Sequence, residues 1–248
     1  MHPCTSSAGP SRSRLCGMTG SPGRVVSVNV GVSRPVNWRG RIVHTAIFKY
    51  PVDGRVPVLG VNLLGDDQAD REVHGGPDKA VYAYALEDLG WWAGELGRPL
   101  HPGVFGENLT VTGTAVTDAV IGERWRIGTV ELEVCGPRVP CYKLGIRMGD
   151  DGYPRRFAAA GRPGAYLRIL VGGSVGAGDE VVVAHRPDHG VTVGAVAHAF
   201  HRDHARAPEI LAAPELAEFW QNWTQKLLDR ELRRSGAHPG HREQGDAR

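Results

Sequence analysis

The amino-acid sequence predicts a mainly β fold with few helices and a small α-helical extension near its C-terminal end. The chain has 248 residues, 41% of them apolar, which suits one domain with a small appendage. Its 34 glycines and 17 prolines favour many short strands joined by turns over a helical bundle. Short β-branched runs fill residues 24–187, whereas apolar residues recur at helical spacing in 188–232.

The β part begins at Arg24, where RVVSVNV is the first alternating β-branched run. After a predicted loop, GVSRPVNWRG, further runs predict strands at RIVHTAIFKY, VPVLGVNLLG, ENLTVTG, AVIGERWRIG, TVELEVCG, AYLRILV and DEVVVAHR. A helix is expected over residues 80–97, because Tyr84, Leu89, Trp92 and Leu96 recur close to helical spacing. The stretch YPRRFAAAG predicts a shorter helix.

Residues 188–232 are predicted to form a helical extension. Thr192 is a suitable N-cap for a helix over 193–201. Large apolar residues recur at i, i+3 and i+4 over residues 215–232, namely Leu216, Phe219, Trp220, Trp223, Leu227 and Leu228. We expect this aromatic face to pack within the chain. Packing on another subunit is the alternative, so the protein is expected to be a monomer or a homodimer.

The two ends, residues 1–23 and 233–248, are predicted to be solvated, disordered tails, and they carry the basic excess. The net charge is +2, but 22 basic and 25 acidic residues remain in 25–232. This acidic balance argues against a nucleic-acid-binding domain. No apolar stretch of membrane-spanning length and no secretory signal are recognisable, so a cytoplasmic protein without membrane association is expected.

Cys141 is the first candidate for chemistry. It lies in CGPRVPCYKLGIR, with prolines that stiffen the loop and with Arg138 and Lys143 nearby. Neighbouring cations favour the thiolate, which is both the nucleophilic form and a ligand for soft metals. The alternative is a buried structural cysteine. Cys135, in the alternating segment ELEVC, is expected to lie in the core.

A second candidate segment is EVHGGPDKAVYAY, which contains His74, Gly75, Gly76 and Lys79 at the junction of a loop and a predicted helix. Paired glycines allow close approach of the backbone to a ligand, and a helix N-terminus presents free N–H groups to an anion. Lys79 adds a point charge suited to phosphate. A turn followed by a capped helix is the alternative.

Two further segments carry polar side chains on glycine-containing loops. Asn108 follows a turn in FGENLTV and is able to donate to a ligand oxygen or to close the turn. Arg162 and Gly164 lie in GRPGAYLRIL, where a rigid Gly-Arg-Pro-Gly backbone presents the guanidinium to a phosphate or carboxylate. A solvated loop arginine is the alternative.

Taken together, these four segments resemble the MOSC-domain family, named from the molybdenum cofactor sulfurase C-terminal domain. HGGPDKA and FGENL resemble its YiiM-type bacterial branch, and the resemblance covers about residues 25–190. It implies a mainly antiparallel β-barrel of the pyruvate-kinase-barrel type, and the C-terminal part is similar to the three-helix extension of that branch. The family often has Gln where this chain has Gly136.

The resemblance implies that the protein binds molybdenum cofactor, with Cys141 as the protein ligand of the metal. Arg138, Lys79, Arg162, Gly164 and the Gly75–Gly76 backbone would hold the pterin and its phosphate, while His74 and Asn108 would line the pocket. The expected activity is detoxifying reduction of small N-hydroxylated compounds such as purine bases, with electrons from a separate donor protein. The alternative is a carrier that holds the cofactor, or sulfur as a Cys141 persulfide, without turnover.

Overall fold

The structure is a computed structural model, and it describes residues 22–68 and 75–234. The tails predicted at 1–23 and 233–248 lie almost wholly outside these ranges. The strands of the described ranges are β1 (Gly23–Val30), β2 (Arg34–Trp38), β3 (Arg41–Thr45), β4 (Tyr50–Pro51), β5 (Arg55–Leu59), β6 (Asn62–Leu63), β7 (Val81–Ala85), β8 (Leu109–Thr112), β9 (Arg124–Ile127), β10 (Val130–Pro137), β11 (Ala165–Val171), β12 (Gly173–Gly176) and β13 (Glu180–His185).

The described part of the chain contains five α-helices and three 3₁₀ helices. The α-helices are α1 (Leu86–Leu96), α2 (Tyr142–Met148), α3 (Tyr153–Ala160), α4 (Val193–His201) and α5 (Glu218–Arg234). The 3₁₀ helices are Pro77–Lys79, Val116–Asp118 and His204–Ala212. No helix among these residues has the length and apolar character needed to cross a membrane.

Within the described ranges, seven strands form a closed barrel in the order β13, β9, β10, β11, β7, β8, β1, with β1 pairing back to β13. All neighbouring pairs are antiparallel except β7 and β8, which are parallel. The barrel closes because alternate residues point inward, such as Trp125, Ile127, Leu132 and Val134, which are at most 1% exposed. The predicted mainly antiparallel barrel is thus confirmed.

The helix predicted over residues 80–97 was wrong in its first part. Residues Val81–Ala85 form β7, and α1 begins only at Leu86. All five residues of β7 are buried, because the strand lies between β11 and β8 and has no solvent-facing side. A short apolar run that is buried on both faces has no period-2 signal, so its sequence pattern does not separate it from the start of a helix.

The loop predicted around residues 31–40 contains a strand instead. Arg34–Trp38 pairs with Arg41–Thr45 as a hairpin that stands apart from the barrel sheet. Arg39 and Gly40 form its two-residue turn with φ of 51° and 77°, the left-handed conformation that two-residue hairpin turns favour. The hairpin docks on α2 through Trp38, whose ring lies 4.6 Å from that of Tyr142.

The C-terminal helices pack on the barrel of the same chain, as expected for the aromatic face. Thr192 caps α4 through its hydroxyl, which accepts from the Ala195 N–H at 3.0 Å. The Ala217 N–H donates to the Cys135 carbonyl of β10 at 2.9 Å. Trp220 is 3% exposed and belongs to the barrel core cluster, whereas Phe219 is half exposed.

Gly136 of β10 allows the C-terminal helices to pack closely against the barrel. A Cβ atom at this position would lie 2.5 Å from Nε1 of Trp220, closer than packed atoms come. A larger side chain at position 136 would therefore overlap this indole. Cys135, one residue earlier, is fully buried, so its predicted core position is confirmed.

Gly136→Ala is expected to lower the free energy of unfolding by about 1–3 kcal/mol, the usual range for overpacking a core. The cost should shrink in a Trp220→Leu background, because the atom that the new methyl group meets is then gone. Chemical denaturation of the four proteins of this cycle measures the coupling.

Gly90→Ala in α1 is the matched control. A Cβ atom there has nothing within 4 Å, and replacing Gly by Ala inside a helix is favourable by about 1 kcal/mol. An equal cost of Gly136→Ala in both backgrounds would contradict the proposed contact.

Candidate functional site

A cleft opens beside the end of β10, between the barrel, the loop that follows β3 and the segment that follows β6. Its cavity has a volume of about 110 Å³ and opens to solvent, so it is smaller than the roughly 300–1,000 Å³ typical of enclosed small-molecule sites. The polar and ionisable residues that line it are Thr45, Lys49, Asp66, Asp67, Gln68, Lys79, Tyr82, Asn108, Arg138, Cys141, Lys143 and Tyr166.

Cys141 lies on the wall of this cleft. It is the N-cap residue of α2, with extended backbone, and its carbonyl accepts from the Leu144 N–H at 2.9 Å. The thiol is free and the residue is partly exposed. Cys135 differs, because its thiol donates to the Asp78 carbonyl at 3.1 Å and burial raises its pKa. Only Cys141, of these two cysteines, is placed to meet a ligand.

Arg138 puts a positive charge beneath the cleft. It is 6% exposed, its guanidinium donates to the Phe105 carbonyl, and it lies 5.0 Å above the Tyr82 ring centroid. Burial lowers the pKa of Arg138, but attraction to Tyr82, Tyr166 and Cys141 outweighs that effect and the pKa is raised. The guanidinium is therefore a fixed positive charge in the wall of the cleft.

Lysines are concentrated in the cleft. The chain contains 25 arginines but only four lysines, and all four are among the described residues. Three of them, Lys49, Lys79 and Lys143, line the cleft. With Arg138 they give four basic side chains against the carboxylates of Asp66 and Asp67, so the cleft suits an anionic ligand.

Asn108 lines the cleft, but the structure uses its amide for internal bonds. Its Oδ1 accepts from the Tyr82 N–H at 3.1 Å, and its Nδ2 donates to Asp66 at 2.9 Å and to the Asn29 carbonyl at 3.4 Å. The Asp66 carboxylate also forms a buried ion pair with Lys49. Asn108 thus orders the cleft wall through Asp66 and leaves no amide hydrogen for a ligand.

The predicted Gly-Arg-Pro-Gly loop lies behind the cleft, and the structure does not bring Arg162 to Cys141. Arg162 lines a separate depression, pairs with Asp88 and lies 4.7 Å above the Trp91 ring. Gly164 has φ of 65°, and a Cβ atom there would lie 2.7 Å from the Tyr82 ring. This loop supports the Tyr82 that lines the cleft rather than a ligand.

The predicted glycine loop is only partly described. His74 lies outside the described residues. Gly76 has φ of 90°, and its N–H donates to Oε1 of Gln68 at 3.0 Å. Neither Gly75 nor Gly76 is among the described residues that line the cleft, although Gln68 and Lys79 on either side of them are.

Sequence reasoning grouped Cys141, Arg138, Lys79 and Asn108 at one site, and the structure places all four around the cleft. It missed Lys49 and Asp66, and it treated Lys143 only as a neighbour of the thiol. The scarcity of lysine was the available signal, because three lysines in one site are unusual for a chain so rich in arginine. Among residues 22–68 and 75–234, no group of three or more His, Cys, Asp or Glu side chains is arranged to hold a metal ion.

Comparison with known proteins agrees with this architecture. The MOSC domain model matches residues 70–182. Protein YflK of Bacillus subtilis is 34% identical over 211 residues, which cover 84% of this chain and 96% of that protein. A protein named reductase, from Gibberella moniliformis, is 33% identical over 175 residues, 68% of this chain but 30% of that longer protein.

Among solved structures, the crystal structure of YiiM from Geobacillus stearothermophilus is similar, with a TM-score of 0.68 and 30% identity. The match covers 83% of this chain and 98% of that one, which is more of this chain than the barrel strands alone. The chain therefore belongs to the MOSC-domain family and is similar to its YiiM-type members.

Proposed function

We propose that the protein binds molybdenum cofactor in the Cys141 cleft and reduces N-hydroxylated compounds there, with electrons from a separate donor protein. One observation carries the proposal: a free, partly exposed thiol shares one cleft with three lysines and the buried Arg138. A soft sulfur ligand next to a cationic hollow is what a metal bound to a phosphorylated pterin requires.

The residues present fit this cofactor. Cys141 offers one thiolate to the metal, and the pterin itself supplies sulfur ligands. Lys79 and Lys143 would hold its phosphate, and both line the same cleft. Arg138 is less suited to direct binding, since its guanidinium already donates to the Phe105 carbonyl. Its role is to keep the loop of Cys141 in place.

When bound, the cofactor would supply two-electron redox chemistry. The chain's own contribution is binding, orientation and charge. The α2 N-cap position holds the Cys141 sulfur at the cleft, the lysines orient an anionic group, and the Lys49–Asp66–Asn108 contacts keep one wall rigid. The fungal relative named reductase supports a redox role.

Cys141→Ser is expected to reduce the molybdenum content of protein purified from a cofactor-competent host by at least about tenfold, because the protein then offers the metal no thiolate. Elemental analysis with matched circular dichroism spectra measures this. Cys135→Ser is the control, since that thiol is buried away from the cleft.

Wild-type protein without molybdenum would contradict the proposal. If mass spectrometry then found an additional sulfur atom on Cys141, and no reduction occurred with an electron donor, the carrier function would be favoured instead.

Lys79→Met is expected to weaken cofactor retention by about tenfold or more, because a charge-assisted hydrogen bond contributes about 1.5–3 kcal/mol. Arg162→Met is the informative comparison, since the sequence predicted it as a cofactor ligand and the structure pairs it with Asp88. Molybdenum and pterin content of both variants, with their melting temperatures, separates the two interpretations. Loss of cofactor from Arg162→Met at unchanged stability would favour the original prediction.

A further inference from the structure

Lys49 is a buried lysine in the cleft to which the proposed cofactor binding gives only a structural role, through its pair with Asp66. It lies between β3 and β4, with 9% of its side chain exposed, and it lines the same cleft as Cys141. A lysine this deeply buried is unusual, because desolvation of an ammonium is costly unless a partner compensates it. The groups that contact Lys49 therefore bear on its function.

The ammonium has one anionic partner and spare donors. Its Nζ pairs with Oδ1 of Asp66, which is the only hydrogen-bond partner it has among the described residues. An ammonium has three N–H donors, and the described residues engage one of them. Asp66 is itself held by the Gly31 N–H at 2.9 Å and by Asn108 at 2.9 Å. The pair is thus fixed in position without being saturated on the lysine side.

The charges around Lys49 make its proton easier to release. Burial lowers the pKa of the ammonium, Arg138 lowers it further, and the opposing attraction of Asp66 and Glu107 does not restore it. The other ionisable groups that face the cleft are Asp67, Lys79, Tyr82, Cys141, Lys143 and Tyr166.

Other cleft residues are poorer proton donors. Arg138 keeps its proton at any physiological pH. Burial raises the pKa of Tyr82 and of Tyr166, so their hydroxyl protons are held more tightly. Lys79 and Lys143 already have other interactions, and we assign them to the phosphate. Lys49 is the group whose position and charge state both suit proton transfer.

We propose that Lys49 is the proton donor for cleavage of the N–O bond, a role that rests on the proposed reductase function. Reduction of R–NH–OH to R–NH₂ and water consumes two electrons and two protons. The N–O bond breaks, and one N–H and one O–H bond form. The electrons come from the separate electron-carrier protein. Lys49 gives one proton to the departing hydroxyl oxygen, solvent supplies the other, and water then reprotonates the lysine amine.

The first test needs no cofactor. In cofactor-free protein labelled with ¹³C only in lysine, the four lysines give four side-chain signals, and the spectrum of Lys49→Arg assigns one of them. We expect the Lys49 signal to titrate at lower pH than that of the exposed Lys226. If Lys49 titrates together with Lys226, the proposal is overturned.

The second test uses the molybdenum-loaded enzyme, N-hydroxylated adenine and dithionite-reduced methyl viologen. In Lys49→Arg the ion pair with Asp66 is retained but the proton is no longer available, so kcat should fall by about 10²-fold or more. The wild-type rate should decline as pH rises through the pKa of Lys49, and this decline should disappear in the variant. Lys226→Arg, on the exposed side of α5, is the control.

The two ideas fail in different ways. Wild-type protein that contains no molybdenum contradicts the proposed function. A metal-loaded Lys49→Arg enzyme with unchanged kcat and unchanged pH profile contradicts only the role of Lys49. Should Lys49→Arg lose metal or fold poorly, Lys49→Gln in the same assay and the wild-type titration decide the question.

Discussion

The burial of one guanidinium, that of Arg138, underlies both the barrel and its cleft. A buried charge without partners would cost several kcal/mol, and here the Phe105 carbonyl and the Tyr82 ring compensate it. These partners belong to β7 and to the loop before β8, while Arg138 follows β10. The charge therefore connects two parts of the barrel, β7 and the loop before β8, to the loop that carries Cys141, so the barrel and the site share these contacts.

The distribution of the two basic residue types follows from their chemistry. Arginine is permanently charged, and in this chain it forms ion pairs outside the Cys141 cleft, as Arg55 does with Asp179 and Arg168 with Asp78 and Glu133. Lysine is a compact charge whose pKa responds to burial. Lysine therefore suits a site that binds anions and transfers protons. Three of the four lysines of the chain line the cleft.

The C-terminal helices are also connected to the loop of Cys141, through β10. They are joined to β10 by the bond from Ala217 to Cys135 and by Trp220 above Gly136, and β10 leads directly into the loop of Arg138 and Cys141. The absence of a side chain at 136 thus serves the packing of the extension.

The sequence by itself determined the features that depend on local pattern: most strands, the Thr192 cap, the amphipathic last helix, and the motifs that place Cys141, Arg138, Lys79 and Asn108 near one another. Tertiary structure alone decided the rest. Residues 81–85 form a strand because both neighbouring strands of the barrel bury them. Arg162 pairs with Asp88, and Lys49 pairs with Asp66 in one wall of the cleft. These outcomes arise from contacts between residues that are distant in the chain. Local sequence patterns do not predict such contacts, and tertiary contacts override local propensity.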